Sequence, residues 1–119
     1  MLKLFILASL LLLTLSGQPA QACVMPFVRS LHNQTVDGFM VVRPGKRCHI
    51  TFRSGGPTES THIVQRPSHG SVSLGAIGRV TYQPHAGFAG NDMFIYQRRG
   101  LDARNNPSVR TVRVNVTVR

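Results

Sequence analysis

A chain of 119 residues holds one compact domain with a modest core, and a second domain does not fit beside it. Fourteen lysines and arginines against four acids give a formal net charge of +10 at pH 7, so the surface attracts polyanions. Four acids spread over separate segments lend a paired-carboxylate hydrolase little support, and no Gly-x-Ser-x-Gly elbow supplies a nucleophile, so the chain is expected not to be an enzyme and to need no cofactor.

The opening residues read as an export signal. Lys3 supplies a basic start, Leu4 to Leu15 an apolar run, and Ala20-Gln21-Ala22 the small residues of a peptidase site, with cleavage expected after Ala22. The run falls short of the roughly 20 residues that a membrane-crossing helix needs, and no later segment is as apolar. The expected mature domain is therefore residues 23–119, exported to the periplasm or beyond and without a transmembrane segment. Cys23 and Cys48 are the two cysteines. In an oxidising compartment they pair most simply as one disulfide. The alternative makes Cys23 a lipidated N-terminus, although Ala20 and Gln21 match a lipoprotein signal poorly and lipidation would strand Cys48.

Further along, short alternating stretches recur between clusters of Gly, Pro, Asn and Ser, the pattern of an antiparallel β-sandwich of about seven or eight strands. Strands are expected over Val24 to Val28, over Phe39 to Val42, and through Cys48, Ile50 and Phe52. Others follow at Thr61 to Arg66, at Val72 and Leu74, at Val80 and Tyr82, and over Met93 to Tyr96. In the last and clearest, Val112, Val114, Val116 and Val118 face the core while Thr111, Arg113, Asn115, Thr117 and Arg119 face away. Pro44-Gly45, Gly55-Gly56-Pro57, Pro67 to Gly70 and Asn105-Asn106-Pro107 read as turns.

Three linked motifs stand in the second half: Pro67-x-His69-Gly70-Ser71-Val72, then Tyr82-x-Pro84, then Gly87-Phe88-x-Gly90-x-Asp92-x-Phe94-x-Tyr96. With the closing valine strand, this series resembles the bacterial Ig-like, cadherin-like repeat domain of secreted and surface proteins. The likeness runs from Pro67 to Val118, in a single copy. It implies an Ig-like sandwich in which these residues determine the fold. Glycine at 87 and 90 permits a tight connection, Pro84 ends a strand, and Asp92 bonds turn amides as its strand begins. His69 is expected to hydrogen-bond the backbone of its turn.

The departures from that family bear on ligands. Its repeats often carry acidic, calcium-binding turns, where this chain has Phe52-Arg53-Ser54-Gly55-Gly56-Pro57-Thr58-Glu59 and Arg98-Arg99-Gly100. Calcium needs several oxygen ligands and is repelled by arginine, so no metal is expected. His32, His49, His62, His69 and His85 lack ligand spacing, and His49 and His62 are expected to point outward from strands. The informative excess is arginine. Arg79 and Arg113 are placed on polar strand faces, and Arg98 and Arg99 with Arg104 around one loop, forming a candidate basic surface for phosphate or carboxylate. Export and the lack of an aromatic platform argue against sequence-specific nucleic-acid binding.

The expectation is a non-catalytic envelope module that binds a protein or an acidic glycan or lipid surface through a basic face. The alternative is a structural subunit that pairs through a sheet edge.

Overall fold

The computed structural model describes residues 22–25, 28–51 and 58–119. The export signal, the Gly55-Gly56-Pro57 turn, Phe52 with Arg53, and Pro26 with Phe27 lie outside the described residues.

Eight strands follow in chain order: β1 (Cys23–Val24), β2 (Gln34–Val42), β3 (Cys48–Ile50), β4 (Thr58–Gln65), β5 (Gly70–Leu74), β6 (Val80–Pro84), β7 (Gly90–Leu101) and β8 (Pro107–Val118). One short 3-10 turn, Ala76–Gly78, joins β5 to β6. They form an Ig-like β-sandwich whose larger sheet runs β1-β2-β8-β7-β4 and whose smaller sheet runs β3-β6-β5. All but one of the pairings are antiparallel. β2 runs parallel to β8, Gln34 against Arg110 through Val42 against Val118, which departs from the all-antiparallel expectation. Alternation reports which face a residue takes and carries no information about the direction of the neighbouring strand.

The core follows the alternation. Val112, Val114, Val116 and Val118 are buried beside Met40, Val42, Phe94 and Tyr96, and the smaller sheet returns Cys48, Ile50, Val72, Val80 and Tyr82. Each such aliphatic or aromatic side chain contributes roughly 1.5–3 kcal/mol of transfer free energy. Leu74 shares the inner face with Val80 and yet stays 46% exposed, because β5 is an edge strand. β7 and β8 are longer than expected, 12 residues each, whereas β5 and β6 have 5 and β3 has 3. The larger sheet therefore outreaches the smaller one.

A covalent tie and a polar one join the sheets. Cys23 and Cys48 form a disulfide with their Cα atoms 5.6 Å apart, linking β1 of one sheet to β3 of the other and leaving Cys23 no thiol for a lipid. Asp92, at the start of β7, supplies the second. Its Oδ1 accepts from the Ser68 and Met93 amides at 3.0 and 2.9 Å, and its Oδ2 from the His69 amide at 3.1 Å and the Tyr82 hydroxyl at 2.8 Å. One carboxylate thus holds its own strand, the turn before β5 and the central strand of the smaller sheet. The rest of the motif supports it. Gly87 and Gly90 take positive φ, 78° and 138°, in the connection to β7. Pro84 ends β6, in register with Gly70 at the start of β5. The His69 ring stacks on Phe88, centroids 4.3 Å apart, where a backbone hydrogen bond had been expected of it.

The two tyrosines make this core sensitive to base. Burial pushes the Tyr96 phenol up to about 12, partly opposed by Arg98, and burial together with the Asp92 carboxylate also pushes Tyr82 up. A phenol raised in the folded state keeps a proton that the unfolded chain releases above pH 10, so stability falls as pH rises from there. The slope is about 1.4 kcal/mol per pH unit for each tyrosine. With no tryptophan in the chain, near-ultraviolet absorbance reports both phenols directly. Tyrosinate is expected to appear only together with unfolding. Smooth titration near pH 10 in a chain that keeps its β-sheet circular dichroism would show the burial to be wrong.

Candidate functional site

The sandwich has two ends. The turn at Arg43–Arg47 and the segments 66–69 and 85–89 meet at the end held by Asp92, while the connections 75–79 and 102–106 lie at the other. At that second end the inner face of the larger sheet changes character. Val36, Val112, Tyr96 and Ile63 form its last apolar row; the next row reads Gln34, Arg110, Arg98, Thr61. Strand period alone puts both arginines on the core-facing side, and the greater length of β7 and β8 carries them past the apolar core, half-buried.

Loops flank this row on both sides. His32 precedes β2; its Nε2 stands 3.0 Å from an Arg110 Nη2, and its Nδ1 bonds the hydroxyl of buried Ser108. Arginine can only donate, so Nε2 is the unprotonated nitrogen and Nδ1–H donates to Ser108. On the β4 side the 3-10 connection packs on Thr61, where a Cβ at Gly78 would stand 2.6 Å from the hydroxyl oxygen. Burial lowers the Arg98 guanidinium from its usual range; Tyr96 opposes that shift and Arg110 adds to it.

The five candidate arginines do not share one face. Arg98 lies on the inner face, whereas Arg99 is the next residue of β7 and points to the outer, exposed side. Both belong to a continuous strand that runs on to Leu101, so they precede the loop in which Arg104 sits. Arg79 is exposed and follows the 3-10 turn, so it lies in a connection where a strand face had been expected. These four cluster at the second end. Arg113 stands apart on the outer face, 3.3 Å from Asp37 in an exposed ion pair worth little. Arg119 and Arg47 belong to the opposite end; the Arg119 amide bonds the Val42 carbonyl, and Arg47 donates to Gln83 at 3.0 Å.

Sequence reasoning missed Arg110, His32 and Ser108. The alternation that puts Val112 inside also puts Arg110 and Ser108 on the same side, which was the available signal; His32 could be placed only by the fold. Arg79, Arg98, Arg99, Arg104 and Arg110 share this end with two acids, Glu59 in β4 and Asp102 in the β7–β8 connection. Asp102 is occupied by its own turn: Oδ1 accepts from the Arg104 and Asn106 amides at 2.8 and 2.9 Å, which hold its carboxyl below the usual range, the Asn106 bond most. His49 and His62 point outward to Thr81 and Ser60 hydroxyls. Among the described residues no three of His, Cys, Asp or Glu are grouped to hold a metal, and no helix is long and apolar enough to cross a membrane.

Compared with known proteins, residues 35–117 match the family described as the bacterial Ig domain. No curated protein matches the chain. Domains of that family are generally non-enzymatic and typically extracellular or surface-exposed, and a disulfide belongs to an oxidising, non-cytoplasmic setting.

Proposed function

Because the chain belongs to the bacterial Ig domain family, we propose that it serves as an exported, non-catalytic module of the bacterial envelope, binding a protein or an acidic glycan or lipid surface through the basic end of its sandwich. The observation that carries this reading is the gathering of Arg79, Arg98, Arg99, Arg104 and Arg110 at one end, where Asp102 is turned to its own loop. Guanidinium groups suit phosphate and carboxylate because their donor fork matches two oxygens at once. The reading Lys3, Leu4 to Leu15, Ala20-Gln21-Ala22 supports export.

Pairing through a sheet edge is the weaker alternative. β4 carries register shifts between Thr58 and Ser60 and between Ile63 and Gln65, and the Arg66 guanidinium covers the Val72 carbonyl on the edge of β5 at 3.4 Å. Bulges and edge charges blunt a strand as a template.

The test uses three exposed positions. The combined variant Arg79→Glu, Arg99→Glu, Arg104→Glu is expected to lose roughly tenfold or more of its capture from the host envelope fraction. Its thermal midpoint should stay nearly unchanged, since exposed substitutions away from packing change stability by about 0.5 kcal/mol at most. Wild-type capture should fade towards 1 M salt, where the Debye length shrinks to about 3 Å. Capture that survives both the substitutions and the salt would return the edge-pairing subunit to first place.

A further inference from the structure

The two sheets differ in what they show to solvent. On the smaller sheet the outward positions are Ser71, Ser73, Thr81, Gln83 and His49, as befits a solvated face. On the larger sheet Val24 and Val41 share one outward row, Phe39 and Met93 the next across Asn115, and Ile95 stands beside the Asp37–Arg113 pair. Phe39 is 62% exposed in mid-strand, and Val24 48%. With Val41 two residues along and Met93 in its own row, Phe39 belongs to a patch, and contiguous apolar patches mark interaction sites. Charge narrows what can cover it. A formal charge of +10 makes most approaches between two copies repulsive. This face is the exception, because Asp37 and Arg113 at its centre lie 3.3 Å apart and cancel, with Asn115 also donating to Asp37.

We infer that the outer face of the larger sheet binds a second copy of the chain, face to face about a two-fold axis that runs along the strands between β2 and β8. The register of those strands makes the face self-complementary under that rotation. Asp37 of each copy meets Arg113 of the other, so charges alternate around a ring of four, and each Phe39 lies over the other copy's Asn115 with Met93 beside it. Each ion pair stays as it is within its own chain, so the contact requires no free charge. Four strands, β1, β2, β8 and β7, at ~4.8 Å spacing over about 25 Å of length give a footprint of roughly 500 Å² per copy. The pair thus covers about 1,000 Å², the lower bound of specific interfaces, which suits a weak dimer with a Kd on the order of 10 µM. The rotation leaves both basic ends pointing the same way, so a dimer offers two of them to one acidic surface and gains avidity. That consequence rests on the basic-end reading; the pairing itself does not.

Sedimentation velocity of the oxidised protein from about 1 to 300 µM is expected to show the mass rising from one chain towards two. Added salt should strengthen the pairing, because it screens the repulsion between two basic molecules and leaves the apolar contact. That is the opposite of its effect on envelope capture. Phe39→Ser and Asp37→Arg are each expected to weaken pairing roughly tenfold or more. The double variant Asp37→Arg, Arg113→Asp should return to within about threefold of the wild type. Leu74→Ser alters an open apolar position on β5 and should change nothing. Circular dichroism checks each fold, and Met93→Lys tests the same face should Asp37→Arg fail to fold. A mass of one chain at every concentration overturns the inference, as does a dimer that Phe39→Ser and Asp37→Arg leave intact or that about 1 M salt dissociates. Loss of envelope capture by Phe39→Ser in a protein that stays monomeric overturns it too, and gives the face to a different protein. If pairing fails while the Arg79, Arg99, Arg104 variant still loses envelope capture, the basic-end reading stands alone. If pairing holds while that variant captures as the wild type does, the dimer stands without it.

Discussion

Replacing Asp92 with alanine is expected to cost about 3–4 kcal/mol, a large share of the total stability of so small a domain. The carboxylate accepts four hydrogen bonds, and three of the donors come from segments other than its own strand or from its far side: the Ser68 and His69 amides and the Tyr82 hydroxyl. The exposed amides can turn to water, but Tyr82 is buried and its hydroxyl would lose the charged acceptor. Hydrogen bonds to charged groups are worth about 1.5–3 kcal/mol, and a stranded buried donor adds its desolvation cost. The thermal midpoint should fall by about 15 °C or more, at 4–8 °C per kcal/mol. Tyr82→Phe removes one donor and should cost about 1 kcal/mol. In the double variant the two costs should not add, because the second substitution removes a hydroxyl already left unsatisfied by the first. Urea unfolding of the four proteins measures this coupling. An Asp92→Ala midpoint within a degree or two of the wild type would mean that the carboxylate does not join the two sheets.

Removing the disulfide should cost nearly as much. Cys23 and Cys48 are 25 residues apart, and closing such a loop restricts the unfolded chain by about 3.5 kcal/mol in the chain-entropy model. The effect should also be uneven. β1 has two residues, Cys23 and Val24, paired with Val42 and Val41, so the sulfur bridge is a large part of what holds it, beside the Arg43 amide on the Ala22 carbonyl and the packing of Met25 on the core. On reduction, or in the Cys23→Ala, Cys48→Ala variant, amide exchange is expected to rise at Val41, Val42 and Cys48 before it rises at Val114 and Val116. Denaturant unfolding with and without reductant gives the total, and exchange gives the distribution. Identical midpoints in the two redox states would leave the bridge a bystander.

The valines at 112, 114, 116 and 118, and Phe94 with Tyr96, were legible because alternation with period two is the signature of a half-buried strand, and all six are buried. Asp92 was legible as a turn anchor, but only for its own neighbourhood; the bonds to Tyr82, Ser68 and His69 span 10 to 24 residues and have no local signature. The parallel pairing of β2 with β8 left no trace either, since a strand's pattern fixes its faces without naming its neighbours. At the candidate site, composition flagged arginine but could not sort it. Arg98 and Arg99 are adjacent in sequence and fall on opposite faces of the sheet, while Arg98 and Arg110 meet only through register. Which charges stand together is a property of topology, and one alternating strand cannot report it.

The place of β8 governs how this domain can be made. It lies between β2 and β7, joining residue 34 to residue 110 on one side and residue 90 to residue 118 on the other. A nascent chain that has not yet produced Pro107 has no strand to bridge the halves of its larger sheet, and Met40, Val42, Phe94 and Tyr96 have nothing to close against. The larger sheet cannot be completed before then, and closing so distant a contact is slow. The larger sheet is therefore completed only when β8 joins β2 to β7, and the disulfide between β1 and β3 then ties two finished sheets rather than two growing ones.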